Sequence, residues 1–194
     1  MSVIACLQHL VGKVWSPGRL WHTVMHMKPA MVLAIVMSVA VLAASSKHSF
    51  KLIPSDKSFE ITFPSEPRHA QNTSESGPIH VEAHSYSFET SASKFVLSYV
   101  ILTPSPADLK ATDALDSAIS GTVDNVGGKL LAQNSMTMAA HPAKAAVIGV
   151  GEKTIIDGRF VYVEPRVYQI LVLHRNGDTP EFQQQFFDSF SVAK

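Results

Sequence analysis

The stretch VYQILVLH, Val167–His174, is the most apolar strand-like run in the sequence and decides how the rest is arranged. A nearly continuous apolar run is typical of a strand covered on both faces, so we place it at the centre of a sheet. The turn signal Asn176-Gly177 ends it. Three further strand-like runs come before it, at Leu130–Ala139, Ala145–Val150 and Arg159–Glu164.

Strand patterns also fill the region from residue 48 to residue 102. In Ser58–Phe63 apolar and polar residues alternate, which predicts a strand with one buried face, and His48–Ile53 is a shorter strand-like run. The polar, turn-rich stretch Arg68–Gly77 predicts a surface loop. Ile79–Phe88 and Lys94–Leu102 predict two strands that pair as a hairpin.

Two stretches change to a helical period. From Pro106 to Val126 apolar residues recur at close to helical spacing, and Gly127-Gly128 is suited to end the helix. Thr179-Pro180-Glu181 predicts the start of a second helix, with the threonine as N-cap and the proline in the first position. The buried face of this second helix is predicted to consist of Phe182, Phe186, Phe187 and Phe190.

Together these elements predict an α+β fold, a mostly antiparallel sheet of about seven strands with two helices packed on it, because most connections are too short for crossovers. The sheet domain is preceded by the uncharged segment AMVLAIVMSVAVLAA, Ala30–Ala44, with Lys28 as its positive flank. This segment is short for a membrane-spanning helix, which needs roughly 20 residues, and has the length of a signal-peptide core. We therefore divide the chain into an N-terminal extension (1–26), a signal peptide or membrane anchor (27–44) and an exported α+β domain (45–194).

The translation start stays open among Met1, Met25 and Met27. Read from Met27, the chain begins with a signal peptide of ordinary proportions, and the extension before it is a mis-set start. In the alternative the extension is a cytoplasmic tail on an uncleaved anchor. We expect a periplasmic or secreted protein in the first case and, in the second, an inner-membrane-anchored protein whose domain lies outside the cytoplasm. In both cases the membrane is contacted only through the N-terminal segment.

Charge and cysteine content exclude several classes of function. Lys13, Arg19 and Lys28 are three of the 16 basic residues, which leaves 13 basic against 16 acidic residues after residue 44. An excess of acid without a basic stripe disfavours nucleic-acid binding. The single cysteine, Cys6, also precedes the domain. The domain therefore has no internal disulfide, and thiol catalysis within it is excluded.

Two local motifs were tested for catalysis and rejected. Gly149-Val150-Gly151-Glu152-Lys153-Thr154 resembles a phosphate loop, but that loop needs a glycine immediately before the lysine, and the carboxylate of Glu152 would repel phosphate. Ser91-Ala92-Ser93-Lys94 fits Ser-x-x-Lys, but the Ser-Asp-Asn and Lys-Thr-Gly elements of penicillin-binding proteins are missing. We interpret the first as a strand end with a turn and the second as a hairpin turn.

The titratable residues form no local site in the sequence. His80 and His84 have the spacing of a helical metal pair, but on a strand four residues span roughly 13 Å, too far to share one ion. Asp113 and Asp116 are interpreted as a solvated helix face. Other histidines could approach one another only through tertiary folding: His48, His69, His141 and His174.

Arg159 and Arg166 flank predicted strands, where protection of a sheet edge explains them more simply than an anionic ligand. The phenylalanines of the second helix have the spacing of core residues more than of a ligand pocket. We therefore predict no catalytic, cofactor-binding or metal-binding residue and no cofactor. With every catalytic pattern rejected, we expect a protein without enzymatic activity.

Three stretches resemble the PsbP-like fold, named for the extrinsic lumenal protein of photosystem II. They are FEITFPSEP at Phe59–Pro67, RFVYVEPRVYQILVL at Arg159–Leu173 and FQQQFFDSFSV at Phe182–Val192. The chain is similar in particular to uncharacterised secreted bacterial proteins of that style, which often have a Gly-x-Pro-Gly-like turn where this chain has His141-Pro142-Ala143-Lys144. The resemblance implies a small extracytoplasmic accessory domain, typically non-enzymatic, and transfers no functional residue.

Three hypotheses for the function follow. The first is a non-enzymatic extracytoplasmic accessory or binding module that acts through its surface on another envelope protein. The second is a small-ligand carrier with a pocket between the sheet and the Phe-rich helix, and the third is an envelope hydrolase with a site assembled from distant residues. A filled core with an exposed apolar patch would favour the first, an apolar cavity the second, and a cleft with His beside Asp the third. The oligomeric state stays open.

Overall fold

The computed structural model describes residues 49–76, 78–104 and 109–192. The predicted extension and signal segment, residues 1–44, lie outside the described residues. Within the described ranges, no helix is long and apolar enough to cross a membrane.

Ten strands and two helices make up the described part of the chain. The larger sheet contains β3 (Arg68–Ser76), β4 (Ile79–Glu89), β5 (Ser93–Thr103), β6 (Lys129–Met138), β7 (His141–Val150), β8 (Thr154–Val163) and β9 (Arg166–Arg175). The smaller sheet contains β1 (Phe50–Leu52), β2 (Phe59–Phe63) and β10 (Ser191–Val192). The helices are α1 (Ala111–Val126) and α2 (Gln183–Asp188).

The larger sheet has seven strands in the order β3-β4-β5-β9-β8-β7-β6, and every neighbouring pair is antiparallel. The strand β9 therefore lies in the middle, and its residues 167–172 are all buried. This confirms that VYQILVLH is the central strand. The predicted hairpin is also confirmed, since β4 pairs with β5. The predicted α+β class, with a mostly antiparallel sheet and two helices, is confirmed as well.

One face of the larger sheet is covered by the smaller sheet and α2. Phe59 of β2 packs edge-on against Tyr99 and Tyr168, with ring centres 5.6 and 5.5 Å apart. Phe186 of α2 packs edge-on against Phe63, at 4.9 Å. Edge-to-face contacts of this kind are favourable for aromatic rings. The space between the sheet and the Phe-rich helix is thus filled by packed side chains.

The helix α1 covers β7, β8 and β9 on the opposite face. Leu115 and Ile119 of this helix are buried and belong to one cluster with Ile148 and Phe160 of the sheet. The helix ends as predicted, because Gly127 has a positive φ of 58°, which glycine adopts without strain. The predicted start near Pro106 lies outside the described residues, and the described helix begins at Ala111.

Two predicted elements were wrong. The predicted loop Arg68–Gly77 is largely the strand β3, which pairs with β4 along its whole length. Because β3 is an edge strand with exposed side chains, it lacks the apolar alternation by which a strand is recognised. The second error concerns the cap of α2: Phe182 occupies the cap position and Thr179 lies before the helix, without a side-chain cap hydrogen bond.

Candidate functional site

The strand β6 forms one edge of the larger sheet. It pairs with β7 on one side and with no described strand on the other. Nine of its residues in succession, 129 to 137, are exposed. In an edge strand, alternate residues direct their N–H and C=O groups away from the sheet, where they can pair with another chain. We refer to Lys129–Met138 as the β6 edge.

The side chains of the β6 edge are unusually apolar for an exposed strand. Leu130, Leu131 and Met136 are 38%, 55% and 38% exposed. Lys129 is the one charged residue of the strand, which contains no proline. Natural sheet edges are commonly protected by charges, prolines or bulges. Here one irregularity in the register, between Leu130 and Ala132, is the main interruption.

Charged and polar contacts fasten the β6 edge to α1. The carboxylate of Asp116 accepts hydrogen bonds from Lys144 Nζ of β7 and, at 2.9 Å, from Gln133 Nε2 of β6. Lys144 is only 8% exposed. The hydrogen bond from Lys144 is the main reason why the pKa of Asp116 lies below its ordinary value. Asp113 and Asp116 are both exposed, as predicted for a solvated helix face, and Asp116 in addition holds Lys144.

The opposite edge, β3, is polar and tied to β4 by its side chains. Gln71 Nε2 donates to Glu82 Oε1 at 2.6 Å. Glu75 Oε1 lies 2.7 Å from His80 Nδ1. The ring of His69 stacks on the ring of Tyr86, with their centres 4.4 Å apart. We refer to Arg68–Ser76 as the β3 edge.

The predicted histidines His80 and His84 both lie on β4, as the strand assignment requires. Folding brings His69 and His84 together: their rings stack, and Nε2 of the first lies 3.2 Å from Nδ1 of the second. Burial and, secondarily, the charge of His84 lower the pKa of His69. Among the described residues no group of three or more His, Cys, Asp or Glu side chains is placed to hold a metal ion.

A second histidine contact, between His174 and Asp157, also could not be predicted from the sequence. His174 Nε2 lies 2.9 Å from Asp157 Oδ2, and its Nδ1 lies 2.9 Å from the carbonyl oxygen of Arg175. Gln183 Nε2 of α2 donates to the same carboxylate at 2.9 Å. The His174 side chain is only 7% exposed, and both ring nitrogens already face oxygen acceptors. The pair therefore joins β8, β9 and α2.

The two arginines lie on internal strands, so their predicted role at a sheet edge is wrong. Arg159 of β8 lies over the ring of Phe187, 4.6 Å from its centre. Arg166 of β9 donates to Asp56 Oδ2 at 2.9 Å and lies 5.5 Å from the ring centre of Tyr99. Both cations thus fasten the covering elements to the larger sheet.

The two rejected motifs have the structures predicted for them. The glycine-rich stretch 149–154 comprises the end of β7, a turn and the first residue of β8. The stretch 91–94 comprises the turn after β4 and the first residues of β5. The backbone N–H of Ser93 donates there to Thr90 Oγ1 at 2.9 Å.

Sequence reasoning found the strand at residues 130–139 but not its place at the edge of the sheet. A sequence signal did exist: Leu130-Leu131 breaks the alternation of a half-buried strand, and Lys129 is the one charge in the ten residues. The contacts His69–His84, Asp116–Lys144 and Asp157–His174 join residues far apart in the chain. They could not be found before the register of the strands was known.

No family model and no curated protein matches the sequence. Among solved structures, the chain is similar in fold to PsbP (CyanoP) from the cyanobacterium Synechocystis sp. PCC 6803, with a TM-score of 0.54 and 9% identity over 78% of this chain and 96% of that chain. This confirms the PsbP-like fold. A protein of unknown function from Pseudomonas aeruginosa, PA94, matches with a TM-score of 0.37 and 16% identity over 71% of this chain and 90% of that chain, too remote a likeness to support an inference.

Proposed function

We propose that this protein is an exported, non-enzymatic binding module that takes up an extended segment of another envelope protein along the β6 edge. The observation that carries the proposal is the exposure of this strand, residue after residue, together with its apolar side chains Leu130, Leu131 and Met136. Several large apolar side chains exposed together on one strand favour an interaction site.

Addition of a strand is the binding mode that this surface favours. The backbone groups of an extended partner segment would pair with the outward N–H and C=O groups of β6, and its alternate side chains would contact Leu131 and Met136. The backbone pairs supply affinity for many sequences, and the apolar contacts supply preference. With Lys129 as the one charge of the strand, a neutral or weakly acidic segment fits better than a basic one.

The export part of the proposal rests on the apolar segment Ala30–Ala44 and its flank Lys28. A domain without a disulfide functions in an oxidising compartment as well as in a reducing one. Its partner would therefore be a protein of the periplasm or cell surface.

Photo-cross-linking at matched positions tests the binding mode. The photoreactive residue benzoylphenylalanine replaces Asn134 on the β6 edge or, as the matched control, Asn72 on the β3 edge; both asparagines are exposed. After irradiation of intact cells we expect a discrete adduct from position 134 and none from position 72. Mass spectrometry of the adduct should locate the cross-link in one continuous segment of the partner.

Two outcomes would contradict the proposed binding mode: no adduct from position 134, or equal adducts from both positions. An adduct with twice the mass of the chain would replace the envelope partner by a second copy of this protein. Export is tested separately by intact mass in cytoplasmic, membrane and periplasmic fractions. A species beginning near Ser45 outside the cytoplasm supports a cleaved signal, a membrane-bound species retaining Ala30–Ala44 supports an anchor, and a cytoplasmic full-length chain contradicts export.

A further inference from the structure

A cleft opens on the α1 face of the larger sheet, where the last turns of α1 meet β4, β5 and β9. Its walls are mainly apolar and include Ala83, Val96, Val100, Val126 and Leu171. Because α1 lies over β7, β8 and β9, the cleft forms at the side of the helix that faces β4 and β5. Small-molecule sites are commonly apolar clefts with a few convergent polar groups. The enclosed volume of this cleft is about 30 Å³, so it would hold the polar end and a short apolar part of a ligand, whose remainder would extend through the open side.

Asn125 supplies the most informative polar group of this cleft. Its Nδ2 is buried and has no hydrogen-bond partner within the described part of the chain. A buried donor left without a partner destabilises a folded protein, so such groups are uncommon in native structures. Here the donor belongs to a residue that lines an open cleft, where a bound acceptor atom could satisfy it.

Two serines add further hydrogen-bonding capacity beside Asn125. Ser85 of β4 and Ser98 of β5 are direct cross-strand partners, and both line the cleft. Within the described ranges neither hydroxyl forms a hydrogen bond. At the base of the cleft Gln169 is held in place, since Thr122 Oγ1 lies 3.2 Å from its Oε1.

The cleft contains no means of neutralising a charged ligand. Among the described residues that line it, the one side chain able to carry a charge near neutral pH belongs to His84. That ring stacks on His69 and Tyr99, on the other face of the sheet, so His84 borders the cleft with its backbone. Burying a charge without a partner is strongly unfavourable. The occupant is therefore expected to be neutral.

We propose that this cleft binds a small neutral molecule with an apolar body and a carbonyl-type oxygen that accepts a hydrogen bond from Asn125. The apolar body contacts Val96, Val100 and Leu171, while Ser85 and Ser98 lie beside the polar group. Two strands, β7 and β8, separate the cleft from the β6 edge. The site is thus independent of the proposed protein-binding function, and either can fail without the other.

Three probes of equal chain length test the ligand class: 2-heptanone, heptanoate and heptylammonium. Binding to the protein in its natural processed form is followed by NMR, through backbone shift changes of the labelled protein. We expect 2-heptanone to bind at least tenfold more tightly than either charged probe, with the shifts centred on β4, β5 and the end of α1. Equal binding of all three, or shifts centred elsewhere, would overturn the proposal.

Variants test the role of the cleft residues. Asn125→Leu removes the donor at similar volume, and we expect it to weaken 2-heptanone binding about fivefold without lowering the melting temperature, because a buried unpaired group is lost. Asn134→Leu on β6 is the matched control and should leave binding unchanged. Ala83→Leu fills the wall of the cleft and should abolish binding. Undiminished binding by the folded Asn125→Leu and Ala83→Leu variants would show that the cleft is not the site.

Discussion

The two edges of the larger sheet have the same topological position but opposite surfaces. The β3 edge carries Gln71 and Glu75, which pair with side chains of β4, and an aromatic stack formed by His69. The β6 edge carries exposed Leu131 and Met136, and its Gln133 donates a hydrogen bond to Asp116 of α1. One edge is covered by its own polar side chains, and the other presents apolar side chains to solvent.

The difference indicates that two free edges of one sheet can differ in how readily they would accept another strand. A strand whose charges are engaged in cross-strand pairs resists the approach of another strand, because pairing would require those charges to lose water. A strand with apolar side chains gains free energy when it is covered. Substitutions that exchange these properties therefore test the contrast between the two edges.

The largest difference is expected between removal of Asp116, the acid of α1 that bonds β6, and removal of Glu75 on the β3 edge. Asp116→Ala leaves the nearly buried ammonium of Lys144 without its carboxylate and should lower the free energy of unfolding by about 1–2 kcal/mol. This is less than for a fully buried pair, because the Asp116 side chain is 49% exposed. Glu75→Ala, whose partner His80 is exposed, should change it by less than about 0.5 kcal/mol. Urea unfolding measures both, and equal losses would contradict the comparison.

The next effect concerns partner binding. The double variant Leu131→Lys with Met136→Lys gives the β6 edge two charges and should reduce the cross-linking yield at position 134 at least tenfold, a factor that corresponds to about 1.4 kcal/mol. Asn72→Lys with Thr73→Lys adds the same charge to the β3 edge and serves as the control. If the two double variants reduce the yield equally, net charge rather than the β6 edge controls the interaction.

A pH series separates the two edges by their titrating groups. The pKa of His69 is lowered below its ordinary value of 6.5, so the unfolded chain binds this proton more strongly, and the contribution of His69 to stability is lost as the pH falls below 6.5. The pKa of Asp116 is lowered below 3.8, so its contribution is complete above that value and is lost only as the pH falls through the lowered value.

As the pH is lowered from 6.5 towards 3.8, β3 should therefore lose protection against hydrogen exchange while β6 keeps it. The ring of His84 on β4 faces His69 and is itself bonded to Glu82, so the variant His69→Gln isolates the part of the effect that belongs to His69. Exchange rates of backbone amides, corrected for their intrinsic dependence on pH, measure the effect. Earlier loss of protection in β6 would contradict the assignment.

The smallest effect tests how loosely the β6 edge packs. In Gly149→Ala the added Cβ would lie 3.2 Å from Leu131 Cδ1, and since Leu131 is 55% exposed it can move away. We expect a change in the free energy of unfolding within about 0.5 kcal/mol. Gly158→Ala is the contrast, because its Cβ would lie 2.7 Å from the ring of fully buried Phe160. Thermal unfolding that shows equal losses would mean that β6 is packed as firmly as the core.

The sequence predicted those strands whose buried faces leave a clear apolar pattern. The run Val167–His174 and the alternation in Ser58–Phe63 follow directly from which faces are covered, and both elements are present. The strand β3 could not be predicted, because an edge strand with polar side chains on both faces has the composition of a loop. For β6 the strand could be predicted from the sequence. Its exposure could not, because exposure depends on which strands lie beside it in the sheet.

The candidate sites depend on tertiary neighbours more strongly still. Asn125 reads as one polar residue near the end of a helix, and only the packing of α1 beside β4 and β5 shows that its amide faces a cleft. Lys144 reads as an ordinary surface lysine, although it is buried against Asp116. Pairings of this kind depend on the strand register, which the sequence pattern alone does not specify.

The position of β9 also has a consequence for how the chain folds. The strands β3, β4 and β5 form one series of successive hairpins, and β6, β7, β8 and β9 form another. Both can assemble from contacts between residues near in the chain, whereas the pairing of Ser93 with His174 joins the two series across most of the domain. Closing so long a loop opposes folding entropically. We therefore expect the β5–β9 junction to form last and to set the folding rate, with two partly folded halves as the species that precede it.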